Sequence, residues 1–175
     1  MKAIFLDRDG VINRAVIKNG RPYPPSSLDT LEILPGVKEA LESLHKAGYL
    51  LIVVTNQPDV ARGKASKVTV DGIHQYMMAN LPLDKILSCF HDDADQCNCR
   101  KPKPGALLNA AKEYKLDLNV CYMIGDRWRD VEAGQRGGCK TVFIGYGYDE
   151  KQPESFDYKV RSLQEAATII LGENK

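Results

Sequence analysis

The chain has 175 residues, 43% apolar and 27% charged, a composition that suits a water-soluble globular protein with one full core. Its 24 Lys and Arg against 23 Asp and Glu leave a formal charge of +1, which argues against a nucleic-acid binder, whose surface carries a large basic excess. No apolar run approaches the ~20 residues of a membrane span, and the first apolar run is too short for a signal-peptide core, so a single domain over residues 1–175 is expected in the cytoplasm, with no membrane partner.

The first predicted strand is 3–6, a continuous apolar run of the kind that is covered on both faces of a sheet. Residues 13–35 hold Pro22, Pro24, Pro25 and Pro35 and read as a loop over the sheet edge. A helix is predicted over 37–47, where Val37, Ala40, Leu41 and Leu44 share one face and Gly48 is placed to stop it. Then come a strand at 50–54, a helix at 68–81, a strand at 86–90 and a second loop at 91–105. A helix at 105–114, a strand at 121–124, a helix at 131–136, a strand at 141–144 and a helix at 163–171 complete the series. Strands alternating with helices predict an α/β fold with a doubly wound, mostly parallel, Rossmann-like sheet. Ligands of such folds sit at the carboxyl ends of the strands.

The chemistry-bearing residues stand at those ends. Asp7-Arg8-Asp9-Gly10 follows the first strand, and residues i and i+2 of an extended chain point the same way, so two carboxylates can share one site. Thr55-Asn56-Gln57 follows the second strand, Arg100-Lys101 comes shortly after the third, and Gly125-Asp126-Arg127 follows the fourth, with Asp130 beyond it. Three acidic groups suit Mg2+, which prefers oxygen ligands. A lysine and a hydroxyl can neutralise and hydrogen-bond phosphoryl oxygens. One of the paired aspartates can act as a nucleophile and the other as general acid and then base. The set reads as a phosphoryl-transfer site.

Five cysteines stand at 89, 97, 99, 121 and 139. Cys89, His91, Cys97 and Cys99 form a Cys3His set whose soft ligands select Zn2+. Four protein ligands close the shell, so the zinc is expected to be structural, stapling a loop that aims Arg100 and Lys101. Cys121 and Cys139 read as core or strand-edge thiols. His45 and His74 read as surface or partly buried helix residues, and Lys103 as a solvated loop cation. Trp128 suits either a pocket wall or helix packing, and Arg62 either a distal phosphate or a loop cap.

The order Asp7-x-Asp9-Gly10, Thr55, Lys101, then Gly125-Asp126 with Asp130 resembles the four signature motifs of the haloacid-dehalogenase-like phosphatases, over most of the chain. Asp7-Arg8-Asp9-Gly10, Val53-Val54-Thr55-Asn56-Gln57, Cys99-Arg100-Lys101-Pro102 and the cysteine loop are most similar to a capless, zinc-loop branch of that family. The resemblance implies that Asp7 is the nucleophile and a Mg2+ ligand. It makes Asp9 the general acid/base, with its backbone carbonyl on the metal, and Asp126 the residue that completes the site. Thr55 and Lys101 would stabilise the transferring phosphoryl group, and Asp130 would orient the ligands. Asn56, Gln57, Arg100 and Arg127 are the candidate substrate-binding residues.

The stretch between Asp7 and Thr55 is filled by one loop, one helix and one strand, which leaves no room for a cap domain. The substrate is expected to be a small phosphorylated metabolite. The segment 57–63 resembles the heptose-bisphosphate phosphatases of this branch, whereas the five residues between His91 and Cys97 and the segment 71–78 resemble its histidinol-phosphate phosphatases. Residues 14–24 match neither. A heptose 1,7-bisphosphate is the expected substrate, with histidinol phosphate as the alternative. A catalytically silent zinc-loop binding module is the alternative of another class. The chain is expected to act as a monomer.

Overall fold

The computed structural model describes residues 1–173. The elements are β1 (Ala3–Leu6), β2 (Val16–Lys18), β3 (Arg21–Tyr23), α1 (Val37–Lys46), β4 (Leu50–Asn56), α2 (Lys67–Asn80) and β5 (Lys85–Cys89), followed by α3 (Gly105–Tyr114), β6 (Tyr122–Gly125), α4 (Trp128–Gly137), β7 (Lys140–Ile144), β8 (Tyr158–Val160) and α5 (Leu163–Glu173). Among the described residues the main sheet has six strands in the order β5-β4-β1-β6-β7-β8, and every neighbouring pair is parallel.

Alternation along β1 explains why this strand lies at the centre. Ile4 and Leu6 pack into one core, with Leu41 and Leu44 of α1 and Ile170 of α5. Ala3 and Phe5 pack into the other, with Leu107 and Ala110 of α3. β4 divides in the same way, Leu51 and Val53 on one side and Ile52 and Val54 on the other. Both faces are thus covered, as an all-parallel sheet requires. The chain runs outward from β1 through β4 to β5, then returns to the other side of β1 as β6. That reversal opens a crevice beyond the carboxyl ends of β1, β4 and β6.

Three expectations are corrected. Residues 13–35 are not one loop: β2 and β3 form an antiparallel hairpin that turns at Asn19 and Gly20, both at positive φ. Asn-Gly is a strong hairpin-turn signal, but the surrounding prolines mask it, and the strands are too short for a clear alternation. The main sheet also gains β8, an edge strand of three residues with no long apolar run to announce it. Its approach is fastened by Asp157, which accepts hydrogen bonds from Thr141 N and Thr141 Oγ1 at 2.7 and 2.8 Å. Finally, α4 begins at Trp128 rather than 131, because Asp130 Oδ2 accepts from Arg127 N at 2.9 Å and fixes the first turn around the site. No described helix is long and apolar enough to cross a membrane.

Candidate active site

Asp7 continues β1: its N–H donates to Ile124 O of β6 at 2.9 Å, so the sheet ladder itself places the carboxylate over the crevice. Lys101 reaches it from the loop before α3. Its ammonium donates to Asp7 Oδ1 at 2.9 Å, Asp130 Oδ1 at 2.6 Å and Val54 O at 2.6 Å, which uses all three protons. Lys101 is only 2% exposed. Burial disfavours its charge, yet Asp130 and Asp7 outweigh that cost and hold its pKa above the ordinary value.

Asp7, Asp126 and Asp130 are buried together, with one oxygen of each within 4.8 Å of the others. Burial, reinforced by Asp130, pushes the Asp7 carboxyl up to about 6, although Lys101 pulls the other way. Burial and then the charges of Asp7 and Asp130 raise Asp126 well above the usual carboxylate range. Asp126 Oδ2 accepts from Tyr148 Oη at 2.6 Å, while Oδ1 is buried with no hydrogen-bond partner among the described residues. Three crowded carboxylates facing one lysine, with an unmatched oxygen, form a site that a hard divalent cation with oxygen preference would fit. The fit is met on the chain's own geometry.

The Asp9 side chain stands outside that cluster. Its Oδ1 accepts from Arg8 Nη2 at 2.9 Å and Asn13 Nδ2 at 3.0 Å, and its Oδ2 accepts from Gln57 Nε2 at 3.0 Å. The Asp9 carboxylate is thus engaged by its own set of donors, apart from the three buried carboxylates. Gly10, directly after it, has φ +85°, and a Cβ there would lie 1.9 Å from Asp126 Oδ2, so only glycine lets the two strand ends approach this closely.

The candidate substrate residues divide. Gln57 departs from its expected role: it is buried, and its amide is taken by Asp9 and by Thr55 Oγ1 at 2.9 Å. Asn56 lines the crevice but spends its amide on the backbone of Lys101, donating to its O at 3.0 Å and accepting from its N at 3.1 Å. Asn56 ends β4 and Gln57 follows it, both within two residues of Thr55, where they steady the groups around them.

The cavity over Asp7, Asp9 and Lys101 measures about 270 Å³ and is lined by Arg21, Arg62, Arg100, Arg127 and Arg129. Four of these arginines face carboxylates. Arg62 pairs with Asp92 at 2.6 Å, Arg100 with Asp93 at 2.7 Å, Arg127 with Glu150 at 2.5 Å and Arg129 with Asp93 at 3.6 Å. Arg100 is 8% exposed, and its Nη1 has no partner among the described residues. Arg21, brought in by the hairpin, donates to Asp149 O at 3.2 Å. Sequence reasoning missed it, because its position depends on how the hairpin folds over the sheet. Trp128 does not wall this cavity; Arg129 and Lys151 lie over its ring, 4.7 and 4.3 Å from the centroid.

Cys89, His91, Cys97 and Cys99 converge beside the cavity, all donor atoms within 4.8 Å. Sulfur-to-sulfur separations run from 2.9 to 3.6 Å, and His91 Nδ1 lies 3.5 and 3.4 Å from the sulfurs of Cys89 and Cys99. This loop could hold a metal ion. Lys103, expected to be a solvated cation, donates to Cys97 O at 2.7 Å and so ties the loop down. All five cysteines are free thiols.

His74, expected at the surface or partly buried, is more deeply buried than that. It is 8% exposed and meets the fully buried Arg8, whose Nη1 lies 3.0 Å from His74 Nε2, while Nδ1 lies 3.3 Å from Ser88 Oγ. A guanidinium can only donate, so Nε2 accepts and the ring is neutral with its proton on Nδ1. Burial, and then the charge of Arg8, lower its pKa to about 4, against ~6.5 in an unfolded chain. The unfolded chain therefore takes up a proton that the folded ring refuses. This stability is complete above pH ~6.5 and is lost as pH falls through about 4. The urea midpoint should decline over that window, and more shallowly in His74→Gln, which keeps an acceptor without a titration. Parallel declines in the two proteins would acquit His74.

The family model for haloacid dehalogenase-like hydrolases matches residues 25–138. The chain is similar to the D-glycero-beta-D-manno-heptose-1,7-bisphosphate 7-phosphatase of Pasteurella multocida, at 36% identity over 98% of this chain and 97% of that protein. It is also similar to the protein of the same name from Helicobacter pylori, at 35% over 89% and 90%. Among solved structures, the D,D-heptose 1,7-bisphosphate phosphatase from B. bronchiseptica, complexed with magnesium and phosphate, superposes with a TM-score of 0.84 at 32% identity, covering 99% of each chain.

Proposed function

We propose that this chain, which belongs to the haloacid dehalogenase-like hydrolase family, removes the 7-phosphate of a heptose 1,7-bisphosphate with the help of Mg2+. It is a hydrolase of phosphoric monoesters. The observation that carries the substrate reading is the arginine-lined cavity set directly over Asp7 and Lys101, a shape and charge for a small molecule with a second anionic group. The relatives' names point the same way.

In this reading an Asp7 oxygen attacks phosphorus in line and displaces the sugar oxygen, which takes a proton from Asp9. The phosphoryl group now rides on Asp7. Asp9 then removes a proton from water, the water oxygen attacks phosphorus, and the bond to Asp7 breaks to release inorganic phosphate. Lys101 and Thr55 hold the phosphoryl oxygens as they change position. Mg2+, held by Asp7, Asp126 and the Asp9 carbonyl, would shield the charge between the phosphoryl group and the nucleophile. Arg100 Nη1 and Arg127 grip the rest of the substrate, and the hairpin closes the crevice where a larger cap domain would otherwise stand.

The cysteine loop is read as a structural zinc site. Zn–S bonds of ~2.3 Å set tetrahedral sulfurs ~3.7 Å apart, close to most of the separations here. Elemental analysis of protein purified without chelator should find about one zinc per chain. Mild EDTA should stop turnover, added Mg2+ should restore it, and the zinc should stay in place. Protein free of zinc from the start would end this reading of the loop.

The substrate reading is tested by phosphate release across heptose bisphosphates, other sugar phosphates, histidinol phosphate and a chromogenic ester. The heptose bisphosphate should show the highest kcat/KM. No hydrolysis of any ester would leave a silent binding module, and a clear preference for histidinol phosphate would overturn the substrate. Arg100→Ala should raise KM for the bisphosphate about tenfold and leave the chromogenic ester nearly untouched, since that small ester has no group to reach it. Equal losses on both would make Arg100 a support for Lys101 instead.

A further inference from the structure

The segment between β7 and β8 carries no motif, yet it is bound to the active site at several points. Tyr146 Oη donates to Gly10 O at 2.8 Å. Asp149 N donates to Gly20 O of the hairpin at 2.9 Å, and Glu150 pairs with Arg127. Tyr148 lies stacked on Tyr146, ring centroids 5.5 Å apart at 27°, and its hydroxyl donates to Asp126 Oδ2 at 2.6 Å.

We propose that Tyr148 is a positioning residue for the magnesium site, holding Asp126 by one oxygen so that the other is presented to the cation. Two observations meet on this carboxylate. Its Oδ1 is buried without a hydrogen-bond partner among the described residues, so one lone-pair face is left open. Its Oδ2 sits in a cradle between Tyr148 Oη and the bare backbone of Gly10, where a Cβ would collide at 1.9 Å. The torsion of an aspartate carboxylate is broad and nearly two-fold, so without an anchor the group swings. A phenol hydroxyl on the far oxygen stops that swing, as outer partners do for metal ligands generally. Tyr148 also packs on the ring of Tyr146, a contact that phenylalanine at either position keeps. Tyr148 does not line the cavity over Asp7 and Lys101, so its effect should fall on cation binding ahead of chemistry.

The inference rests on the magnesium site proposed above, and the experiment separates the two. Full-length wild type, Tyr148→Phe and Tyr146→Phe are depleted of magnesium, checked for retained zinc and for cooperative melting, and titrated with MgCl2 by calorimetry. Phenylalanine keeps the ring stack and deletes only the hydroxyl. Tyr148→Phe should weaken Mg2+ binding about tenfold, with kcat at saturating Mg2+ close to wild type and the loss concentrated in the Mg2+ concentration needed for half-maximal rate. Tyr146→Phe should bind Mg2+ within about twofold of wild type. An unchanged dissociation constant in Tyr148→Phe, or equal weakening in both variants, would overturn the positioning role while leaving the magnesium site standing. Wild type that takes up no Mg2+ would overturn both.

Discussion

Asp7→Asn should abolish turnover, lowering kcat by ~10^4-fold or more, while leaving the protein at least as stable as before. The first half follows from the nucleophile role proposed for Asp7: an amide oxygen neither attacks at a useful rate nor forms the acyl phosphate. The second half follows from crowding. Asp7 is pushed up to about 6 by burial and by Asp130, and its charge in turn raises Asp126. Removing one of three neighbouring negative charges relieves that repulsion, while Asp130 still engages Lys101 at 2.6 Å. Phosphate release and thermal melts on the same preparation read both halves. Activity above about a hundredth of wild type would remove the covalent route, and a large fall in melting temperature would show that Asp7 is needed for folding as well as chemistry.

Lys101→Met should damage both properties. The side chain is buried between Asp7 and Asp130, and methionine matches its length without its charge. Stripping one partner from a buried ion cluster leaves uncompensated carboxylates, at a cost of about 3–5 kcal/mol. For a domain of this size each kcal/mol is worth roughly 2–4 °C, so a fall of about 10 °C is expected. Saturating Mg2+ should recover part of it, because the cation neutralises the carboxylates that Lys101 has abandoned. The rate should fall about a thousandfold, since the lysine's charge counts most as the phosphoryl group transfers. A variant that melts within 2 °C of wild type would mean that the two aspartates find other compensation. A variant with near-normal kcat would remove Lys101 from the chemistry.

The contrast between these variants and Arg100→Ala also shows where the sequence is informative. Asp7, Thr55, Lys101 and Asp126 are legible because each follows an apolar run or a short motif, and a parallel sheet brings strand ends together whatever the connections do. The strands and helices are legible for the same local reason: burial on both faces demands continuous apolar runs, and helix faces demand their 3.6-residue spacing. The cysteine loop is legible because its four candidate ligands lie within eleven residues of one another.

The remainder depends on contacts between distant residues. His74 and Arg8 are 66 positions apart, and nothing local in the α2 sequence marks its one buried histidine as the acceptor for a buried guanidinium. Tyr148 stands 22 positions from Asp126 on a segment with no periodicity. Gln57 shares a motif with Thr55, yet its direction is decided by Asp9 across the crevice. Arg21 reaches the cavity only because a short hairpin, too small to show a pattern, folds back over the strand ends. By itself the sequence determined the scaffold and set the candidate reacting groups at the strand ends, since those follow from patterns a few residues long. The tertiary structure alone decided which partners hold those groups in place, because a hydrogen bond between distant residues depends on where the whole fold delivers both ends.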